Sequence, residues 1–172
     1  MKKKITKQNG FTLVETLLST LILMLAFSVV VSGIPVAKRA CENVMRGANA
    51  QVLLSTTITR LRGELGTASN IRAEGANRIT YTNAETGASS RIYIENNTIK
   101  YQHYVAIEGI GKDSNAVPFI SEEAGGGLKL TCKGISFENG LITVSGLSVS
   151  DVVSNRSDLS HRDTLLIRVI TY

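Results

Sequence analysis

From Phe11 to about Ala37 the chain is almost wholly apolar, and its densest part, LILMLAFSVVV (21–31), carries no charge. A helix needs about 20 apolar residues to cross a bilayer core, and this segment reaches that length. Beyond it the pattern changes. Cys41, Val44, Ala48 and Val52 recur at spacings of three and four, and Leu54, Ile58, Leu61 and Leu65 continue on a related face. Lys38, Arg39, Glu42, Arg46, Arg60, Arg62 and Glu64 fall between them. This pattern predicts an amphipathic helix over 38–66 with one buried stripe. Gly66 is placed to end it as a C-cap. Pro35, beside Gly33, predicts a kink or a local unwinding where the two helical segments meet.

After residue 67 the period becomes two. RITYTN (78–83), SRIYIE (90–95) and TIKYQHYV (98–105) alternate apolar and polar positions as half-buried strands do. Asn96-Asn97 lies between two of them and tolerates the positive φ of a tight hairpin. Asn139-Gly140 is a preferred type I′ turn and predicts a hairpin of 135–138 with 141–146. TLLIRVITY (164–172) reads as a last strand. EEAGGGLKL and SNRSDLSHRD read as loops, with Gly125 to Gly127 a flexible turn. The fold class is therefore α+β: a long N-terminal helix, first transmembrane and then amphipathic, on an antiparallel β head of 67–172.

Charge sharpens the first segment. The net charge is +5, yet Lys2, Lys3, Lys4 and Lys7 all precede Gly10. Without these four of the nineteen basic residues, 15 face 14 acidic ones. The basicity belongs to the leader, which argues against a nucleic-acid role for the whole chain. A lysine cluster beside an apolar span keeps that end cytoplasmic, so the expected topology is single-pass with an extracytoplasmic head. Glu15 is anomalous. It lies inside the apolar segment, where an unpartnered carboxylate costs a few kcal/mol.

The stretch KKKITKQNGFTLVETLLSTLILMLAF closely resembles the class III leader and N-terminal helix of type IV pilins and pseudopilins. Its matching parts are the basic leader, Gly10, Phe11, Thr12-Leu13-Val14-Glu15 and the hydrophobic helix, covering roughly residues 2–35. The resemblance implies removal of residues 1–10 by a prepilin peptidase, which cuts between Gly10 and Phe11 and N-methylates Phe11. It implies that 11–37 is a transmembrane and assembly helix and that Glu15 is the assembly glutamate. The implied partners are the prepilin peptidase, other pilin or pseudopilin subunits, the inner-membrane assembly platform and the cell membrane. The implied destination is a cell-surface or periplasmic filament. The family's lollipop shape follows from a helix that would run roughly 80 Å from Phe11 to Leu65. The role is structural: neither an enzymatic activity nor a cofactor is implied. The physics of Glu15 agrees. Cleavage frees an amine at Phe11, about 6 Å along the axis from Glu15, and the amine of a neighbouring subunit would relieve the carboxylate while staggering the helices. The plainer alternative is a Glu15 solvated at the headgroup level.

Other signals are weaker. An ordinary signal peptide would cut near Ala37 or Ala40 and leave Glu15 without a purpose. Cys41 and Cys132 permit a disulfide in an exported chain; the alternative is two buried free thiols. Two histidines, His103 and His161, make no zinc set, and no metal is expected. SDLSHRD holds Ser, His and Asp together, but triads assemble in space, and a polar surface loop is expected. Tyr81, Tyr93, Tyr101 and Tyr104 alternate with Arg91 and Lys100, a pattern that single-strand nucleic-acid binders share. Cross-strand pairing explains it more simply, so nucleic acid is not indicated as a partner. Two alternatives to a structural subunit stand: a displayed module that binds DNA or surfaces, and a signal-anchored enzyme using His161 and Asp163.

Overall fold

The computed structural model describes residues 12–107, 110–113, 115–121 and 126–169 of the 172, with the side chains of 104–107, 110–113 and 158 undescribed. The leader and both residues of the Gly10–Phe11 junction therefore lie outside the described residues, as does Gly125. The chain is α+β and forms two compact units that divide after Val44.

One helix, α1, runs from Leu13 to Gly66 and passes through Gly33 and Pro35 without interruption. Pro35 has no N–H, so the carbonyl of Val31 loses its ladder donor. The helix nonetheless does not unwind at Gly33 and Pro35. At the other end Gly66 is the last helical residue and does not take a left-handed φ. It is no C-cap glycine; the Thr67 hydroxyl instead donates to the Gly63 carbonyl at 3.1 Å. Of the expected stripe, Leu54, Leu61 and Leu65 are buried and Ile58 half-buried, but its first part is not covered. Ala50, Leu54, Thr57, Leu61 and Leu65 are buried, while Cys41, Val44, Ala48 and Val52 are exposed. Spacing defines several candidate faces on a helix, and the sheets cover only the one that begins at Ala50.

Strands β1 (Ser69–Ala73), β2 (Arg78–Thr82), β3 (Ser89–Glu95), β4 (Thr98–Ile107) and β5 (Ile110–Asp113) form an antiparallel sheet in sequence order. The short β6 (Val117–Pro118) joins β4. The second antiparallel sheet comprises β7 (Leu128–Thr131), β8 (Gly134–Glu138), β9 (Leu141–Asp151) and β10 (Arg156–Arg168). Here β9 is central, with β10 on one side and β7 and β8 on the other. Both hairpin turns expected from sequence are present. Asn96-Asn97 and Asn139-Gly140 have positive φ at both central residues, as a type I′ turn requires.

Two loop expectations need correction. Leu128–Thr131 of the glycine-rich stretch is strand β7. Most of SNRSDLSHRD lies in β10, which pairs with β9 as far as Asp151. Of the last strand expected over 164–172, residues 164–168 lie in β10 and 170–172 lie outside the described residues. A long central β9 offers ladder partners to a polar segment that has no alternation of its own, and backbone pairing decides the conformation there.

The head has one core, from α1 residues Ala50, Leu54, Leu61 and Leu65 and the inward faces of both sheets. The sheets are joined by their turns. Cys132 donates its N–H to the Asn97 carbonyl at 2.8 Å, and the Ile135 N–H reaches Asn77 Oδ1 at 3.3 Å.

Candidate functional site

The apolar half of α1 opens on a local motif that the sequence contains but the periodicity does not reveal. Thr12, Leu13, Val14 and Glu15 read T-x-x-E, the pattern of a helix N-cap with glutamate at its third position. The Glu15 N–H bonds Thr12 Oγ1 at 3.3 Å and the Thr12 carbonyl at 3.0 Å. Thr12 thus fixes where the helix begins, and Glu15 sits in the first turn. A carboxylate there is favoured by the helix dipole.

From Leu13 to Val36 the large apolar side chains are exposed, and this part of α1 is long and apolar enough to cross a membrane. Its hydroxyls are internally satisfied. Thr16, Ser19, Thr20, Ser28 and Ser32 each donate to a carbonyl three or four residues back, at 2.7–2.9 Å. A lipid-facing segment needs its polar groups paired within itself. Glu15 is the one acidic residue of this stretch, and its backbone carbonyl accepts from Ser19.

In the head two polar clusters fix α1 to the sheets. At the last helical turn Glu64 Oε1 accepts from the Tyr81 hydroxyl at 2.8 Å, Asn83 Nδ2 at 2.7 Å and the Tyr101 hydroxyl at 3.3 Å. A glutamate near a helix C-terminus opposes the dipole, and three donors offset this. His103 extends the cluster, with Nε2 2.6 Å from the Tyr101 hydroxyl and Nδ1 3.0 Å from Ser90 Oγ. With Nε2 protonated, donation runs one way from Ser90 through His103 and Tyr101 to Glu64. Burial first, and then Glu64, pushes the Tyr81 hydroxyl far above its ordinary pKa. Burial raises Tyr101 too.

At the other end of the head the buried Asp151 accepts from Ser154 Oγ at 2.6 Å and from Arg46 Nη1 on α1 at 2.8 Å. The Val153 and Ser154 N–H groups, at 2.9 and 3.2 Å, complete the set. The Ser154 hydroxyl leads in holding the carboxyl down at about 2, helped by the two amides and Arg46.

The tyrosines divide by face. Tyr81 is buried and Tyr101 half-buried in the Glu64 cluster, whereas Tyr93 lies on the opposite face with the Arg78 guanidinium 5.5 Å from its ring. Tyr81 and Tyr101 thus share no platform with Tyr93, and the side chain of Tyr104 lies outside the described residues. Both cysteines are free. Cys41 is exposed, and Cys132 is buried with its Sγ 3.5 Å from the Gly134 and Ser145 carbonyls. The bridge considered from sequence is absent, and of the pair of buried thiols only Cys132 is buried. Ser160, His161 and Asp163 lie on β10, and among the described residues no hydrogen bond or ion pair joins them. No group of three His, Cys, Asp or Glu among the described residues is placed to hold a metal.

Comparison with protein-family models, with curated proteins and with solved structures gives no match.

Proposed function

We propose that the chain is a minor pilin or pseudopilin: a structural subunit processed by a prepilin peptidase and built into a filament through its apolar helix. One observation carries this reading. A single carboxylate, Glu15, occupies the first turn of a long exposed apolar helix that follows a lysine-rich leader ending in Gly10, just before Phe11. Cleavage at that junction puts a new amine one turn from Glu15, and in lipid the two charges complement one another. The exposed apolar side chains supply the packing surface between neighbouring subunits. The head, held to the second half of the helix by Glu64 and Arg46, is the part displayed outside the membrane. Peptidase, fellow subunits and an inner-membrane assembly platform are the partners this role requires.

Intact and N-terminal peptide mass spectrometry on the native membrane fraction tests it. The expected chain begins at Phe11 and carries one extra methyl group. A mature N-terminus near Ala40 or Cys41 would identify an ordinary secreted head and overturn the proposal. In cells, Glu15→Ala should leave processing intact and abolish incorporation into filaments; wild-type incorporation by this variant counts against the assembly role.

A further inference from the structure

The solvent face of the first sheet carries a polar cleft of about 580 Å³. Cross-strand register builds it. Arg72 on β1 faces Thr80 on β2, Thr80 faces Arg91 on β3, and Arg91 faces Gln102 on β4. Directly opposed residues share a face, so the four make one row. A β-bulge between Ser69 and Arg72 adds local twist to β1. Glu74 follows β1 and brings Oε2 to 3.5 Å from Arg91 Nε.

That contact is an ion pair without a hydrogen bond: Arg91 Nε is shielded from water and has no bonded partner. Arg72 is exposed and has no carboxylate partner among the described residues. Two guanidinium groups thus stand in one row on either side of Thr80, on strands about 10 Å apart. Neutral donors and acceptors on Thr80, Thr82 and Gln102 lie between and beside them.

We propose that this cleft binds an acidic saccharide, with Arg72 and Arg91 taking uronate carboxylates and Glu74, Thr80, Thr82 and Gln102 bonding ring hydroxyls. Arginine pairs well with carboxylates through its planar fork. Glu74 opposes every anion alike, but as an acceptor it needs a donor, which a ring hydroxyl supplies and a DNA phosphodiester does not. Stacked bases also need successive aromatic rings. Tyr93 lies a row away and is covered by Arg78, and Tyr104, on this face by register, lies outside the described side chains. An acidic peptide added as a strand would run along the edge of β1 and not across the four strands of this row.

The test uses the full chain in detergent micelles, with fluorescein-labelled trigalacturonate as the probe and maltotriose and a dT20 oligonucleotide as competitors. Trigalacturonate should bind and resist displacement by maltotriose. Arg72→Gln and Arg91→Gln should each weaken it about tenfold or more, the usual loss for one charge-assisted contact. Arg168→Gln, on the other sheet, should have no effect. Arg72 is exposed, so its variant keeps the fold, and circular dichroism checks both. No binding at millimolar probe, equal competition by maltotriose, wild-type affinity of both cleft variants, or displacement by dT20 would each overturn the proposal.

Discussion

Gly146 lies in the middle of β9 with φ +62°, and its replacement by alanine isolates the geometry that lets this strand serve one core along its whole length. Ile142 and Val144 are buried before it, Leu147 and Val149 after it. The alternation changes phase at Ser145-Gly146, where β8 pairing stops at Ser145 and β7 pairing starts at Ser148, while β10 keeps one register on both sides. A left-handed residue makes that phase change without inserting an extra one. For alanine the left-handed conformation costs roughly 1–2 kcal/mol. A Cβ at Gly146 would also lie 2.6 Å from Lys133 Cγ and Cδ and 2.9 Å from Lys133 Cβ. The outer carbons swing away, but Lys133 Cβ is fixed to its backbone, whose N–H bonds the Ser145 carbonyl at 3.0 Å. Overpacking of this kind costs about 1–3 kcal/mol. Gly146→Ala should therefore lose about 2–5 kcal/mol. The assay is urea unfolding of the full chain in detergent, followed by tyrosine fluorescence, since the chain has no tryptophan. Two further variants separate the terms. Every described non-glycine residue with positive φ is an asparagine, at 70, 77, 96, 97, 139 and 155; Gly146→Asn should recover the backbone part and keep the clash. Lys133→Gly combined with Gly146→Ala should recover the clash and keep the backbone part. A loss below about 0.5 kcal/mol for Gly146→Ala, within the range of inert surface changes, or no relief from either companion variant, would refute this reasoning.

Tyr81→Phe removes the buried 2.8 Å bond to Glu64 and should lower stability by about 1.5–3 kcal/mol, as for hydrogen bonds to charged groups; an unchanged urea midpoint would show that Asn83 and Tyr101 satisfy Glu64 without it. Asp151 has its carboxyl depressed to about 2 in the folded chain, so its stabilisation is complete above the unfolded carboxyl value near pH 4 and is lost as pH falls toward 2. Asp151→Asn should flatten the acid limb of the stability profile in that window and destabilise the head at neutral pH; an unaltered acid limb contradicts the assignment. Burial pushes the Cys132 thiol up to about 11, while Cys41 is exposed. Iodoacetamide at pH 8 should modify one thiol per native chain, mapped to Cys41, and two after denaturation. Rapid native labelling of Cys132 would mean that the core opens there.

Local chemistry made several features legible in the sequence alone. The apolar run of 11–37, the helix that continues to Gly66, the strands of period two and both asparagine turns follow from side-chain spacing and backbone φ preference. Those causes act within a few residues. Glu15 was conspicuous because a carboxylate in an apolar run is costly wherever the chain folds. Its cap by Thr12 was legible too, as T-x-x-E, once the helix start was considered separately from the stripe.

Tertiary structure decided what depends on distant partners. It continued the Leu54, Leu61 and Leu65 stripe through Ala50 and Thr57 and left Val44 and Val52 exposed, because only the former face is covered by the sheets. It made strand of the polar 156–163 stretch, because β9 supplied hydrogen-bond partners. It turned Tyr81 and Tyr101 toward Glu64 and left Tyr93 to Arg78. It gathered Arg72, Thr80, Arg91 and Gln102 into one row. No spacing along the chain encodes that row, since register arises only when strands pair. Local preference is a property of the covalent chain, whereas burial and adjacency are properties of the packed whole.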